Sequence, residues 1–371
     1  MSASSVDFIR SIPVTAALVR PLQFLFPGGV GGSTPRCERE SSSFCARASP
    51  INMLTPVKTL AILFKPDLPC QYLRRRGQRA STYGSFIVDT STTARTPYFP
   101  TASGGLGDVY ACILNRGTGL EEVAVKSPRF PSLADADVAR INHNLDREIK
   151  VWTRLNHRYV LRLYGTVTGF GPFRALVSPW MENGTLSSYL TGEGRTLTTM
   201  ARLRILKQIT EGLKYLHDKN VIHGDLTSNN VLIAADGSPR LADFGVSNIM
   251  VKSNPAFSYQ TGAVRWAAPE LIVLPEGQTV QFATQSSDIY ALGCIILQVL
   301  YDKLPYWWIK TALQVMSSKF KNQEPINNTI QIQAHHLNFM RRCWSIKSEN
   351  RPSVKEVLDF LERGISTEAS T

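Results

Sequence analysis

His223-Gly-Asp-Leu-Thr-Ser-Asn-Asn230 is followed, a short way downstream, by Asp243-Phe-Gly245. The two stretches place an aspartate, an asparagine and a second aspartate close together in the chain. Carboxylate and carboxamide oxygens are hard ligands that suit a divalent cation such as Mg²⁺, and a further carboxylate can orient an attacking hydroxyl. Asp225 suits the second task, and Asn230 and Asp243 the first. The apolar Val231–Ile233 and the segment Arg240–Ala242 flank this constellation as short strands.

A second constellation lies upstream. Ala102-Ser-Gly-Gly-Leu-Gly-Asp-Val-Tyr110 precedes a strand-like run and Val-Ala-Val-Lys126. Glycines at 104 and 107 let backbone amides approach phosphate oxygens closely. Lys126 sits among small and β-branched residues, where an ammonium needs a partner, and Glu148 on a following helical stretch is suited to supply it. Tyr110–Leu114 and Glu122–Lys126 read as strands joined by an Asn-Arg-Gly-Thr-Gly turn. Asn144–Leu155 and Arg202–His217 read as helices, the latter with Leu203, Leu206, Ile209, Leu213 and Leu216 on one face. Strands first and helices after predict an α+β molecule of two lobes.

These motifs resemble the protein kinase domain. The match runs from about Pro100 to Arg363 and takes in Arg265-Trp-Ala-Ala-Pro-Glu270, Ser287-Asp-Ile-Tyr-Ala-Leu-Gly293, Cys343-Trp344 and Arg351-Pro-Ser353. Arg-Trp before Ala-Ala-Pro-Glu, together with Cys-Trp and Arg-Pro-Ser, is similar to the tyrosine-kinase-like group of Ser/Thr protein kinases.

The resemblance implies a two-lobed protein-kinase fold: a small β-rich N-lobe with one main helix (about 96–178) and a large α-helical C-lobe (about 182–364). It also implies ATP and Mg²⁺ as cofactors and a protein substrate. Asp225, Lys126 and Glu148 would be catalytic, and Asn230 and Asp243 would hold metal. ATP would lie against Ala102, Ser103, Gly104, Gly105, Leu106, Gly107, Val109, Ala124, Lys126, Ser178, Pro179, Met181 and Leu232, with Ser178 as a small gatekeeper. His223 would pack with Phe244. Glu270 and Arg351 would form a buried ion pair, and Asp288 would brace the backbone of the catalytic loop.

Four positions depart from the family pattern. Ala102 replaces the first glycine of the phosphate loop. Gly224 replaces the arginine of His-Arg-Asp that in many kinases meets a phosphorylated activation segment, which implies regulation of the non-RD type. Thr227 stands where Ser/Thr kinases carry a lysine, and Ala263 where they carry its threonine partner. Tyrosine kinases place arginine two or four residues after the aspartate, and Thr227 and Asn229 occupy those positions. The acceptor preference, Ser/Thr or Tyr, stays open. So does the alternative of a pseudokinase acting as an ATP-binding signalling scaffold. His-Gly-Asp also resembles small-molecule phosphotransferases, which lack the Ala-Pro-Glu and Ser-Asp-Ile-Tyr motifs.

Outside the domain, residues 1–95 are rich in Ser, Thr, Pro, Gly and Arg and read as a disordered basic arm, and 365–371 as a tail. Net charge is +12 over 371 residues. Residues 1–100 hold twelve basic and five acidic side chains, so 12 − 5 = +7 of that excess lies largely outside the domain. The cluster Arg74, Arg75, Arg76 and Arg79 is therefore read as a solvated tail, with no specific nucleic acid partner expected. Six cysteines without paired short spacing indicate reduced thiols and a cytoplasmic protein. The weakly transit-like opening, with Arg10, Arg20 and Asp7, suggests mitochondria as the alternative. No apolar run reaches the roughly 20 residues of a membrane helix.

Overall fold

Strict alternation in Leu120–Pro128 builds the small lobe: Val123 and Val125 are fully buried on one face, so Ala124 and Lys126 point to the other. The computed structural model describes residues 61–64, 100–104, 107–115, 120–129, 135–244, 263–272 and 281–370. The basic cluster, Gly105, Leu106, Gly245 and the segment 245–262 lie outside these, as do most of the arm and the side chain of Glu148.

Six strands form the first sheet: β1 (Ala61–Phe64), β2 (Ala102–Gly104), β3 (Gly107–Asn115), β4 (Leu120–Pro128), β5 (Gly165–Val167) and β6 (Ala175–Pro179). Their order is β1-β3-β4-β6-β5, with β2 paired to β3, and every pairing is antiparallel. In this register Val109 faces Lys126 and Ala124 faces Ser178. Cys112, Leu114, Val123, Val125, Val167, Ala175 and Val177 form the core behind the sheet. Strand β1 comes from the stretch expected to be disordered, and it adds to the edge of β3 from Ala61 opposite Asn115 to Phe64 opposite Cys112. That pairing satisfies edge amides and carbonyls of β3.

Helix α1 (Asp135–Trp152) starts earlier and stops sooner than the expected Asn144–Leu155, because Ile141 and Leu145 already pack on Phe173. The large lobe follows with α2 (Leu186–Thr191), α3 (Thr199–Asp218), the hairpin β7 (Val231–Ile233) and β8 (Pro239–Leu241), α4 (Gln285–Tyr301), α5 (Ala312–Phe320), α6 (Ala334–Cys343) and α7 (Val354–Ser370). Helix α7 runs through what the sequence suggested was a tail.

Thr198 caps α3 by accepting the Ala201 N–H at 3.2 Å, and Thr284 with Ser287 closes a capping box on α4. Helix α4 is buried from Ser287 to Val299 and forms the axis on which α3 and α6 pack. No described helix is long and apolar enough to cross a membrane.

Candidate functional site in the interlobe cleft

The β7–β8 hairpin brings the two stretches of hard oxygen ligands together. The loop 223–230 enters β7 and residues 242–244 leave β8, and Ala242 N–H donates to Asn230 O at 2.8 Å. Asn230 Nδ2 donates to the backbone oxygen of Asp225 at 2.7 Å and to its carboxylate at 2.9 Å. With its amide nitrogen so engaged, Asn230 has its carboxamide oxygen left over for a cation.

Asp243 takes the left-handed conformation at φ +61° and forms an ion pair with Lys126 of β4. The expected partner of Lys126 was Glu148, which lies on α1 with its side chain outside the described residues. Burial, opposed by the Asn230 hydrogen bond and reinforced by the nearby Asp243 charge, pushes Asp225 up to about 7.

Asp288 holds the loop from below. Its carboxylate accepts the backbone N–H groups of His223 and Gly224, both at 2.9 Å, and lies 2.9 Å from His217 Nε2. His223 is buried and meets Phe244 edge-on at 6.2 Å between ring centroids, and Phe244 packs against Trp152 at 4.7 Å. Burial lowers the pKa of His223, which suits a packed neutral imidazole.

Glu270 and Arg351 form the expected pair in a bidentate geometry, 2.6 and 2.7 Å, and Arg351 adds bonds to Ser345 O at 2.9 Å and Ser286 O at 3.0 Å. The pair ties the short helix Pro269–Leu271 to the start of α7.

These groups face a cleft of about 640 Å³ between the lobes. Ala102, Ser103, Gly107, Val109, Ala124 and Lys126 line it from the sheet, and Pro179, Met181 and Leu232 from the linker and hairpin. Asp225, Asn230 and Asp243 line its floor. Gly104 pairs with Gly107 in the β2–β3 turn, and Ser178 is buried on β6 without lining the cleft.

Thr227 and Ala263 also line the cleft, together with Arg265, Trp266 and Leu304, which were not among the expected site residues. Arg265 and Trp266 were legible as a motif, but nothing in a linear motif reveals which of its residues turns toward a cleft. Thr227 is itself buried, and its hydroxyl accepts the Asn230 N–H at 3.3 Å.

A small sheet lobe and a large helical lobe, enclosing a lysine, an aspartate and two hard-oxygen ligands in the cleft, define a protein kinase. The chain belongs to the protein kinase domain family, whose model matches residues 102–360. It is 28% identical over 264 residues to the serine/threonine/tyrosine-protein kinase HT1 of Arabidopsis thaliana, covering 71% of this chain and 64% of that one. It is 28% identical over 265 residues to serine/threonine-protein kinase STY46 of the same plant, covering 70% and 42%. Ephrin type-A receptor 3 of Danio rerio matches at 27% over 230 residues, covering 60% of this chain and 22% of the receptor. The chain thus spans less than two thirds of each of these relatives.

Proposed function

We propose that this chain is a Mg²⁺-dependent ATP:protein phosphotransferase acting on Ser or Thr hydroxyls, built from a kinase domain at 96–364 behind a basic arm. One observation carries this: Lys126, Asp225, Asn230 and Asp243 meet in one cleft, with the Asn230 amide anchored on Asp225.

The residues present fit the cofactors. The carboxamide oxygen of Asn230 and the carboxylate of Asp243 are the hard donors Mg²⁺ prefers, and Lys126 stands ready to meet phosphate oxygens. Gly107 sits at φ +145°, and a Cβ there would meet the Ser127 carbonyl oxygen at 2.1 Å, so its turn is open only to glycine. Val109, Ala124, Met181 and Leu232 offer the apolar walls a nucleobase needs. When bound, Mg²⁺ neutralises charge developing on the transferred phosphoryl group.

Asp225 orients the acceptor hydroxyl, its backbone oxygen and carboxylate both fixed by Asn230. Lys126 would offset phosphate charge, and Asp243, here paired with Lys126, would serve as a metal ligand. With Gly224 in place of arginine, switching does not rest on the usual pairing between that arginine and a phosphorylated activation segment. The plant relatives are named a Ser/Thr/Tyr kinase and a Ser/Thr kinase, so Ser and Thr are the acceptors their names share.

Radiolabelled ATP with casein as a generic acceptor tests the proposal by comparing wild type with Asp225→Ala. Label incorporated by wild type alone supports it, and equal incorporation by both sinks the catalytic assignment. No incorporation by either, with ATP binding retained, favours a scaffold.

A further inference from the structure

Lys319 lies on the inward face of α5, four residues after Val315, and the two are 1% and 0% exposed. Apolar side chains normally occupy such a site, since a buried ammonium is costly unless its donors are met. Among the described residues, the three hydrogen-bond partners of Lys319 are neutral oxygens. Its Nζ donates to Ala267 O at 2.7 Å, Tyr290 Oη at 3.2 Å and Arg265 O at 3.3 Å. The rings of Tyr290 and Tyr306 face the same ammonium, each with its centroid 4.7 Å away.

This cage is rigid. The two phenol oxygens are 3.3 Å apart, and Tyr306 is fixed at both ends, its hydroxyl donating to Gln323 O at 2.8 Å and its N–H to Pro325 O at 3.0 Å.

What the cage grips lies next to the site. Arg265 and Ala267 belong to the segment whose Ala263, Arg265 and Trp266 line the cleft beside Asp225 and Thr227. A second tie reinforces the first, because the Arg265 guanidinium donates to the carbonyls of Tyr306 and Ile309, both at 2.6 Å, and of Pro305 at 3.0 Å. Tyr306 thus presents its carbonyl to Arg265 and its ring to Lys319. Behind the cleft, a void of about 30 Å³ lies between this segment and the loop at Gly224–Thr227, so a shift of the segment moves the wall beside Asp225.

We propose that Lys319 is a positioning residue for the protein acceptor: its ammonium, held in the Tyr290–Tyr306 cage, fixes the backbone of residues 265–267 and with it the wall on which the acceptor lies opposite Asp225. This rests on the chain's being a protein phosphotransferase. Burial also brings Lys319 down to about 7, with Cys294 and Glu270 raising it and Arg351 lowering it further. Among the described residues, the other titratable groups in or against the cage are Tyr290, Tyr306 and Cys294, which burial pushes upward, the paired Glu270 and Arg351, and the paired Glu324 and Arg341. Lys319 is therefore the cage member that changes charge near neutrality, and its bonds to the two carbonyls weaken when it does.

The test uses the full chain with casein and ATP, comparing wild type with Lys319→Met, which keeps most of the length of the side chain and removes the charge. Lys319→Met is expected to melt close to wild type, because removing a buried ammonium offsets the loss of a donor to the Ala267 and Arg265 carbonyls. Its KM for casein should rise about fivefold with the KM for ATP unchanged. The wild-type KM for casein should rise more steeply than the variant's as pH passes upward through about 7, since Asp225 titrates there in both and Lys319 only in wild type.

An unchanged casein KM, or a lower melting temperature with both KM values altered together, overturns the proposal. If wild type shows no Asp225-dependent transfer, the transferase assignment fails, and amide hydrogen exchange then decides on Lys319. Faster exchange at 263–268 in Lys319→Met, with β3 and β4 unchanged, supports positioning, and equal exchange overturns it.

Discussion

Gly224 donates its backbone N–H to the Asp288 carboxylate at 2.9 Å while holding φ at +78°. The buried aspartate dictates a left-handed backbone at this residue, and glycine adopts it without steric penalty. A residue with a Cβ pays about 1–2 kcal/mol for that conformation. Gly224 therefore lets the loop bend onto Asp288 without that cost. Gly224→Arg is expected to lower stability by about 1 kcal/mol, read as a lower urea midpoint at unchanged m. A midpoint equal to wild type would show that the Asp288 bracket imposes no strain.

Asp243 faces Lys126 across the cleft, so its loss removes the proposed metal ligand and frees the ammonium together. Asp243→Ala is expected to abolish Mg²⁺-dependent label transfer while far-UV circular dichroism and melting stay near wild type. Residual transfer above about one per cent of wild type would show that Asn230 alone holds the ion.

Thr227 and Ala263 line the cleft beside Asp225 without charge, at the positions where the resemblance to Ser/Thr kinases implies a lysine and its threonine partner. Introducing Thr227→Lys with Ala263→Thr is expected to raise kcat about tenfold or more, since one preorganised charge is worth a few kcal/mol at a transition state. Steady-state kinetics with casein reads this, and an unchanged or lower kcat would mean that the missing lysine does not limit turnover.

Arg351 is the buried half of its pair with Glu270, and it also bonds two backbone carbonyls. Arg351→Met is expected to cost about 3 kcal/mol in denaturant unfolding, because Glu270 and the carbonyls lose their partner. Adding Glu270→Gln should recover part of that loss, and strictly additive costs would argue against coupling.

His336 is buried beside Tyr301, whose hydroxyl lies 2.8 Å from its Nδ1, and burial followed by the neighbouring His335 lowers it to about 4. The unfolded chain protonates near 6.5 and the folded one only near 4, so the unfolded state binds more protons between these values. Stability is expected to be lost as pH falls from about 6.5 toward 4, by up to about 3 kcal/mol, and to be flatter in His336→Gln. Melting temperature against pH measures it, and parallel profiles would remove His336 as a cause.

Local pattern made much of this legible. Alternating valines placed β4, the 3.6-residue spacing of leucines placed α3 within a few residues, and Val231–Ile233 forms its strand where the apolar run predicts. The extent of α1 was less legible, because its first turns gain their apolar contact from Phe173, a distant residue.

The order of residues by itself determined the class of the molecule and the candidates for its chemistry, since Asp225, Asn230 and Asp243 have their donor chemistry wherever the chain carries them. Tertiary structure alone decided their pairings. It set Lys126 on Asp243, bent Gly224 onto Asp288, and buried Lys319 between two tyrosines behind the cleft wall. Those relationships join residues far apart in the chain, and they come into being only when helices and sheet pack and exclude water, which no local periodicity encodes.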